Sequence, residues 1–137
     1  MLARLSVAVF ECGDRTEMAE LLAPDVRYEE PASGCRAEGA EAVLDALAAW
    51  PVAFPDSVAE VVRVLTNGDT AVLEIVWHGT HDGPLVTPAG TVPATGHAVD
   101  CWATRWQRWS GGRLVHERNH VDVLTLLAQI GAAPAPT

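Results

Sequence analysis

The stretch Leu114-Val115-His116-Glu117-Arg118-Asn119-His120-Val121-Asp122 indicates how the rest of the chain is arranged around it. Successive side chains of a β-strand point to opposite faces, so the even-numbered residues of this stretch would share one face. A surface strand usually has one apolar and one polar face, whereas this stretch has ionisable side chains on both. Such a departure from the folding rule is typical of functional or strained sites. A strand half in solvent with a charged face explains this stretch equally well.

The composition is that of a single globular domain, with 137 residues and a net charge of −9. A chain of this length can bury a sizeable core without metal ions or disulfides. The acidic balance and the lack of a basic run argue against a nucleic-acid partner. Three widely spaced cysteines, the lack of a long apolar run and the lack of a signal-peptide pattern predict a cytoplasmic protein that does not enter a membrane.

Helical periodicity comes first in the chain and β-branched residues follow, which predicts an α+β domain. Helices are predicted over 2–12, 14–22, 40–50 and 123–130, and a short strand over 26–30. Longer strands are predicted over 57–66, 70–80, 97–109 and 114–122, with a loop over 83–96. We expect a curved antiparallel sheet with helices on one face, forming one domain over 1–131 with a flexible Pro/Ala tail over 132–137.

The last hairpin decides which side chains meet, because a one-residue shift in register turns every side chain to the other face. A three-residue turn over 110–112 would set Arg105 opposite Glu117. A two-residue turn would instead set Arg105 opposite Arg118, a destabilising pair of like charges. The three-residue turn is therefore expected.

This register predicts a charged cluster on one face of the sheet, which would become a pocket if the helices cover that face. Its members are Asp100, Trp102, Thr104, Arg118, His120 and Asp122. Desolvation and like charges can raise a carboxyl pKa toward neutrality in such a pocket. Trp102, and Trp77 on the neighbouring strand, would offer a flat wall to a hydrophobic ligand. The competing interpretation places the two carboxylates in water at strand ends, and an Asp122 on the outer face would argue against catalysis by this cluster.

The five histidines suggest a metal site only weakly. His78 and His81 would point to opposite faces of a strand, and no H-E-x-x-H or comparable ligand spacing occurs. His97 has the opposite parity to Asp100. We expect no metal and no cofactor, and leave open whether His81 or His97 reaches the pocket.

Several motifs follow one another in an order that resembles the SnoaL-like polyketide cyclases, a branch of the nuclear transport factor 2-like superfamily. They are DVRYEEP (25–31), FPD (54–56), GTHDGP (79–84), PATGH (93–97) and LLAQIG (126–131). The resemblance covers nearly the whole chain. It implies a cone-shaped α+β fold with a pocket between sheet and helices, often dimeric through the outer sheet face, and chemistry without a cofactor.

The resemblance also implies roles for particular residues. An acidic residue at the end of the last strand of these cyclases acts as general acid/base in an intramolecular aldol closure, a role that would fall to Asp122, with His120 beside it. The combination of Asp100, Arg118 and Asp122 is also similar to the limonene-epoxide-hydrolase branch, although the arginine there lies on the other strand.

Three functions are compatible with these residues. The leading hypothesis is a cofactor-independent enzyme that cyclises or isomerises a hydrophobic polyketide-like or polycyclic molecule, with Asp122 taking a proton alpha to a carbonyl and His120 stabilising the enolate. The second is an epoxide hydrolase or epoxide-opening cyclase in which Asp100 and Asp122 share acid and base roles and Arg118 orients both. The third is a non-catalytic module that binds a small apolar molecule.

Apart from this small molecule, the expected partner is a second copy of the chain. Cys101, Ala103, Val115 and Val121 would give the outer face of the last strands a partly apolar surface that suits a homodimer.

Overall fold

The computed structural model describes residues 2–132, so the tail predicted over 132–137 lies outside the described residues except for Ala132. The helices are α1 (Leu2–Cys12), α2 (Arg15–Leu21), α3 (Ala40–Leu47), α4 (Ala49–Ala53) and α5 (Val123–Gln129). The strands are β1 (Leu22–Glu30), β2 (Cys35–Glu38), β3 (Val58–Asn67), β4 (Thr70–Thr80), β5 (Leu85–Thr87), β6 (Gly90–Val92), β7 (Ala98–Ser110) and β8 (Arg113–Val121).

Six strands form one curved sheet in the order β2-β1-β8-β7-β4-β3. Neighbouring strands are antiparallel except β1 and β8, which run parallel. The α+β prediction is confirmed, but the sheet is mixed, because β1 pairs with β2 in a hairpin on one side and in parallel with the last strand on the other. The segment predicted as a loop over 83–96 contains the separate β5–β6 hairpin.

Turn and cap residues determine where the N-terminal helices end. Gly13, with φ of +72°, lies between α1 and α2, and the Asp14 side chain accepts a hydrogen bond from the Glu17 N–H at 3.0 Å. The helix predicted over 40–50 is divided into α3 and α4, and Pro51 lies inside α4 instead of ending it. Proline is tolerated there because the N–H groups of a first helical turn have no intrahelical partner.

The turn between β7 and β8 consists of Gly111-Gly112, both with positive φ, so the predicted three-residue turn is wrong. Three residues after this turn, Val115 has no partner on β7 and forms a β-bulge. The bulge shifts the register by one residue, so that Arg105 pairs with Asn119 and not with Arg118. The like-charge pair that counted against the shorter turn is thereby avoided.

The observed register differs from the predicted one by two residues and therefore keeps the same side chains together on each face, but the helices cover the other face. The side chains of β7 and β8 buried against the helices are Val99, Cys101, Ala103, Arg105, Gln107, Trp109, Leu114, Glu117 and Asn119. The predicted pocket residues Asp100, Trp102, Thr104, Arg118 and His120 lie on the opposite, outer face. The expectation that these residues face the helices is therefore wrong, as is the placement of Cys101 and Ala103 on the outer face.

Two apolar clusters hold the helices on the inner face of the sheet. One gathers Phe54, Ile75 and Trp77 with parts of α1 and α5, and the other gathers Val26 and Leu114 with parts of α2 and α3. No helix within residues 2–132 is long and apolar enough to span a membrane.

Candidate functional site

A group of polar side chains is buried between the inner face of the sheet and the helices, and we call this group the inner cluster. It consists of Ser6, Tyr28, Glu30, Arg105, Gln107, Glu117 and Asn119. Apart from the partly buried Glu30, these residues are only 1–6 % exposed. Burying polar groups costs free energy unless they find partners, so hydrophobic packing alone does not account for the cluster. Sequence reasoning missed it because the helices were expected to cover the opposite face of β7 and β8.

Gln107 holds the Glu117 carboxylate in place. Its Nε2 donates to Glu117 Oε1 at 2.7 Å and to Ser6 Oγ at 3.2 Å. Its Oε1 accepts a hydrogen bond from the Trp109 indole N–H at 3.1 Å. Because both ends of the Gln107 amide are engaged, the Glu117 carboxylate has a defined orientation in a site from which water is largely excluded.

Arg105 is a buried cation with few partners. Its Nη1 lies 3.9 Å from Glu117 Oε1, which is longer than a hydrogen bond. Its Nε has no hydrogen-bond partner among the described residues. The guanidinium carbon lies 5.5 Å from the centroid of the Phe10 ring and 5.7 Å from that of Trp77, within the range of cation–π contacts.

A second carboxyl group, that of Glu30, completes the inner cluster. Burial raises the pKa of Glu30, although hydrogen bonds and the nearby charge of Arg105 act in the opposite direction. Burial also raises the pKa of Tyr28, and the charges of Glu30 and Glu117 add to this effect. Asn119 Nδ2 donates to the Tyr28 hydroxyl at 3.2 Å, while Asn119 Oδ1 has no partner among the described residues. The cluster thus combines two carboxyls with unpaired donor and acceptor atoms.

An apolar cleft of about 130 Å³ opens between the helices, and its lining includes Phe10, which also contacts Arg105 of the inner cluster. Its wall includes Val9, Phe10, Met18, Leu44, Leu47 and Pro51. The Phe10 ring also packs edge-on against Trp77, with 5.4 Å between ring centroids. Phe10 therefore separates the cleft from the Arg105 guanidinium.

The predicted pocket residues are partly brought together, but in a groove of about 310 Å³ on the outer face. Trp102, Thr104, His120 and Asp122 line this outer groove together with Glu74. Asp122 is exposed, and its Oδ1 accepts a hydrogen bond from the Thr125 N–H at 3.2 Å as the N-cap of α5. Asp122 therefore has a structural role at the start of this helix.

The remaining predicted residues lie elsewhere. Arg118 Nη2 is 3.8 Å from Glu29 Oε1 on the outer face, and Asp100 Oδ1 is 2.6 Å from His78 Nδ1. Because neither of them lines the outer groove with Asp122, the acid–Arg–acid arrangement of an epoxide hydrolase is not formed. Trp77 is buried against Phe10 on the inner face, so it does not form a wall of a ligand pocket together with Trp102, as was expected.

The two histidines left open by the sequence do not join the inner cluster. His81 is fully buried against Phe54, with Nδ1 2.9 Å from Thr95 Oγ1, and His97 is exposed. Within residues 2–132, no group of three or more His, Cys, Asp or Glu side chains is placed to hold a metal ion.

The outer-face histidine His78 should make folding stability depend on pH. Hydrogen bonds to Asp100 and then Glu60 raise its pKa above the ordinary 6.5, so its stabilising contribution is complete below this value and is lost as the pH rises through the raised pKa. Replacing His78 by glutamine should lower the melting temperature at about pH 5.5 and leave it unchanged at about pH 9. The loss of stability at the lower pH should be at most about 1 kcal/mol, since the side chains are exposed. The exposed His97→Gln variant is the control, and equal shifts at both pH values would contradict the assignment.

Comparisons with known proteins agree with this fold. The family model described as SnoaL-like polyketide cyclase matches residues 1–130. Among solved structures, a protein from Jannaschia sp. CCS1 assigned as a SnoaL-like polyketide cyclase is 27% identical, with TM-score 0.77, over 88% of this chain and 80% of that one. IdmH from Streptomyces antibioticus, assigned as a polyketide cyclase, is 28% identical, with TM-score 0.78, over 91% and 92% of the two chains.

A more distant protein with a ketosteroid isomerase-like fold, from Catenulispora acidiphila, is 17% identical, with TM-score 0.79, over 98% and 97% of the chains, which supports the fold alone. No curated protein matches the chain. The family match supports a cyclase or isomerase in general, and it confirms the resemblance drawn from the motifs. The chain belongs to the SnoaL-like polyketide cyclase family.

Proposed function

We propose that this protein moves protons on a hydrophobic polyketide-like or polycyclic small molecule, without a cofactor, in an aldol-type cyclisation or an isomerisation. The family supports this class of reaction, and one observation carries the proposal for this chain. Two carboxyl groups, the buried Glu117 and the partly buried Glu30, lie on the inner face near Arg105, and Phe10 lies between Arg105 and an apolar cleft. A carboxylate held in a fixed orientation by hydrogen bonds can act as a general base toward a carbon acid.

Glu117 is the proposed general base. Its carboxylate takes the proton alpha to a substrate carbonyl, so that the C–H bond breaks, an O–H bond forms and the negative charge moves to the carbonyl oxygen. Glu30 is the proposed proton donor, because burial raises its pKa and it holds a proton closer to neutral pH than an exposed glutamate does. In a cyclisation, the enolate carbon attacks a second carbonyl, and Glu30 protonates the resulting alkoxide.

Asp122 with His120 in the outer groove is the competing proposal for the base. The exposure of both side chains counts against it, since water stabilises an exposed carboxylate and makes it a weak base. Exchange of the α-protons of 2-tetralone in D2O, followed by NMR, tests both proposals without knowledge of the natural substrate. Loss of exchange in Glu117→Gln supports the inner cluster, loss in Asp122→Asn supports the outer groove, and no exchange by the unaltered protein favours a binding module.

A homodimer through the outer sheet face remains a proposal. Trp102 and Trp106 on this face are 47% and 50% exposed, and Leu65 near them is 61% exposed. Large apolar side chains that share one face suit a protein partner better than water.

Light scattering at micromolar concentration should accordingly return twice the 14.6 kDa chain mass, and Trp106→Glu should return the single mass with an unchanged far-UV spectrum. A charge at the centre of an apolar contact is expected to prevent it from forming. A monomer mass for the unaltered chain would contradict the proposal.

The cytoplasm is the proposed location. The cysteines Cys12, Cys35 and Cys101 are free thiols, which suits a reducing compartment. Burial raises the pKa of Cys101 to about 12, so this thiol is unreactive at neutral pH.

A further inference from the structure

We propose that Arg105 is a catalytic residue, whose guanidinium binds the enolate oxygen that forms when Glu117 removes the substrate proton. The inference rests on the proposed function and assigns the group that stabilises its charged intermediate. It is carried by the position of Arg105, its unpaired donor and its distance from Glu117.

The contacts of Arg105 are not those of a structural ion pair. A buried guanidinium that stabilises a fold is expected to donate short, often paired hydrogen bonds of about 2.7–2.9 Å to a carboxylate. Arg105 instead lies 3.9 Å from Glu117, and its Nε–H has no acceptor among the described residues. A desolvated cation therefore keeps donor capacity for an oxygen that arrives with a ligand.

The charge balance of the proposed reaction supplies this oxygen. Before proton transfer, the negative partner of Arg105 is Glu117. After it, Glu117 is neutral and the charge resides on the enolate oxygen, so that Arg105 would otherwise be left unpaired. Because the site excludes water, an arginine already in place stabilises this transferred charge strongly, and it does so more in the transition state than in the ground state.

Phe10 defines how the oxygen reaches Arg105. Small-molecule pockets usually measure about 300–1,000 Å³, so the cleft of about 130 Å³ is too small for a polycyclic substrate. The Phe10 ring covers the guanidinium and also lines the cleft. In the proposed complex the Phe10 ring turns aside, so that the cleft extends to the guanidinium and the substrate carbonyl reaches the free Nε–H.

The test uses 2-naphthol as a probe, since the oxygen of its anion resembles an enolate oxygen on a flat apolar body. The Glu117→Gln variant imitates the protonated base and removes the carboxylate that lies 3.9 Å from Arg105. It should bind the naphtholate anion at least about tenfold more tightly than the unaltered protein does, measured by the absorbance of the anion at several pH values. Binding of the neutral 2-methoxynaphthalene should change little.

Adding Arg105→Gln to Glu117→Gln should remove the gain in naphtholate binding, whereas adding Arg118→Gln should preserve it because Arg118 lies on the outer face. Both variant pairs replace charge with an amide, and both remove the buried Glu117 carboxylate. Naphtholate binding by folded Glu117→Gln that does not depend on Arg105 would overturn the inference. If the double variant does not fold, a Glu117→Gln protein that gains no preference for naphtholate over 2-methoxynaphthalene overturns it equally.

The proposed function fails separately. It fails if Glu117→Gln retains α-proton exchange of 2-tetralone, whatever the naphtholate measurements show. A loss of exchange together with naphtholate binding indifferent to Arg105 would leave Glu117 as the base and remove Arg105 from the mechanism.

Discussion

Glu117→Gln should lower the protein-catalysed exchange of 2-tetralone α-protons by about 10²-fold to 10⁴-fold, the usual worth of a general base. Glutamine has nearly the shape of glutamate and can still accept the hydrogen bond that Gln107 now donates at 2.7 Å. The substitution therefore removes the proton acceptor and preserves the packing of the inner cluster. NMR exchange rates measured with and without protein would give the change directly.

The matched control for this variant is Asp122→Asn on the outer face. Asparagine is as good an N-cap as aspartate, so the start of α5 should be preserved and both stability and exchange should stay close to those of the unaltered protein. If exchange falls in Asp122→Asn and persists in Glu117→Gln, the reaction takes place in the outer groove and the inner cluster is structural.

Most of the fold could be predicted because its signals are local. The strands predicted over 57–66 and 70–80 agree with β3 and β4 to within one residue, since Asn67-Gly68 predicts a tight turn and β-branched residues fill both strands. The turn itself consists of Gly68-Asp69, one residue further along, because Asn67 pairs with Thr70. The mixed sheet could not be predicted in this way. The parallel pairing of β1 with β8 joins the two ends of the chain, and no local pattern indicates it.

The site was misplaced because the helices cover the face of β7 and β8 opposite to the expected one, although the side chains that share each face were grouped correctly. The bulge at Val115 makes Leu114 and Glu117, three positions apart, point to the same inner face, which alternation along a regular strand forbids. A usable signal was present on β7. The odd-numbered residues of β7 begin with Val99, Cys101 and Ala103, and the apolar face of a strand usually packs on the core. The next odd-numbered residues on the same face are Arg105 and Gln107.

Arg105→Met should destabilise the protein by about 3–5 kcal/mol, because Glu117 would be left as a buried carboxylate without its cation. Methionine fills a similar volume and keeps apolar contact with Phe10 and Trp77, so the loss reports charge rather than a cavity. Urea titrations measure the change in the free energy of unfolding, provided that its dependence on urea concentration has the same slope in both proteins.

Arg118→Met is a closely matched control, because the two arginines lie at nearly the same distance from a glutamate and differ in burial. Arg118 is 3.8 Å from Glu29 with its side chain 45% exposed, whereas Arg105 is 3.9 Å from Glu117 with its side chain 5% exposed. An exposed pair contributes only about 0–1 kcal/mol, so Arg118→Met should change stability little. Adding Glu117→Gln to Arg105→Met should restore most of the lost stability, since the unpaired charge is then removed. Equal losses in the two arginine variants would mean that water reaches the inner cluster, and the desolvation on which the proposed chemistry depends would be absent.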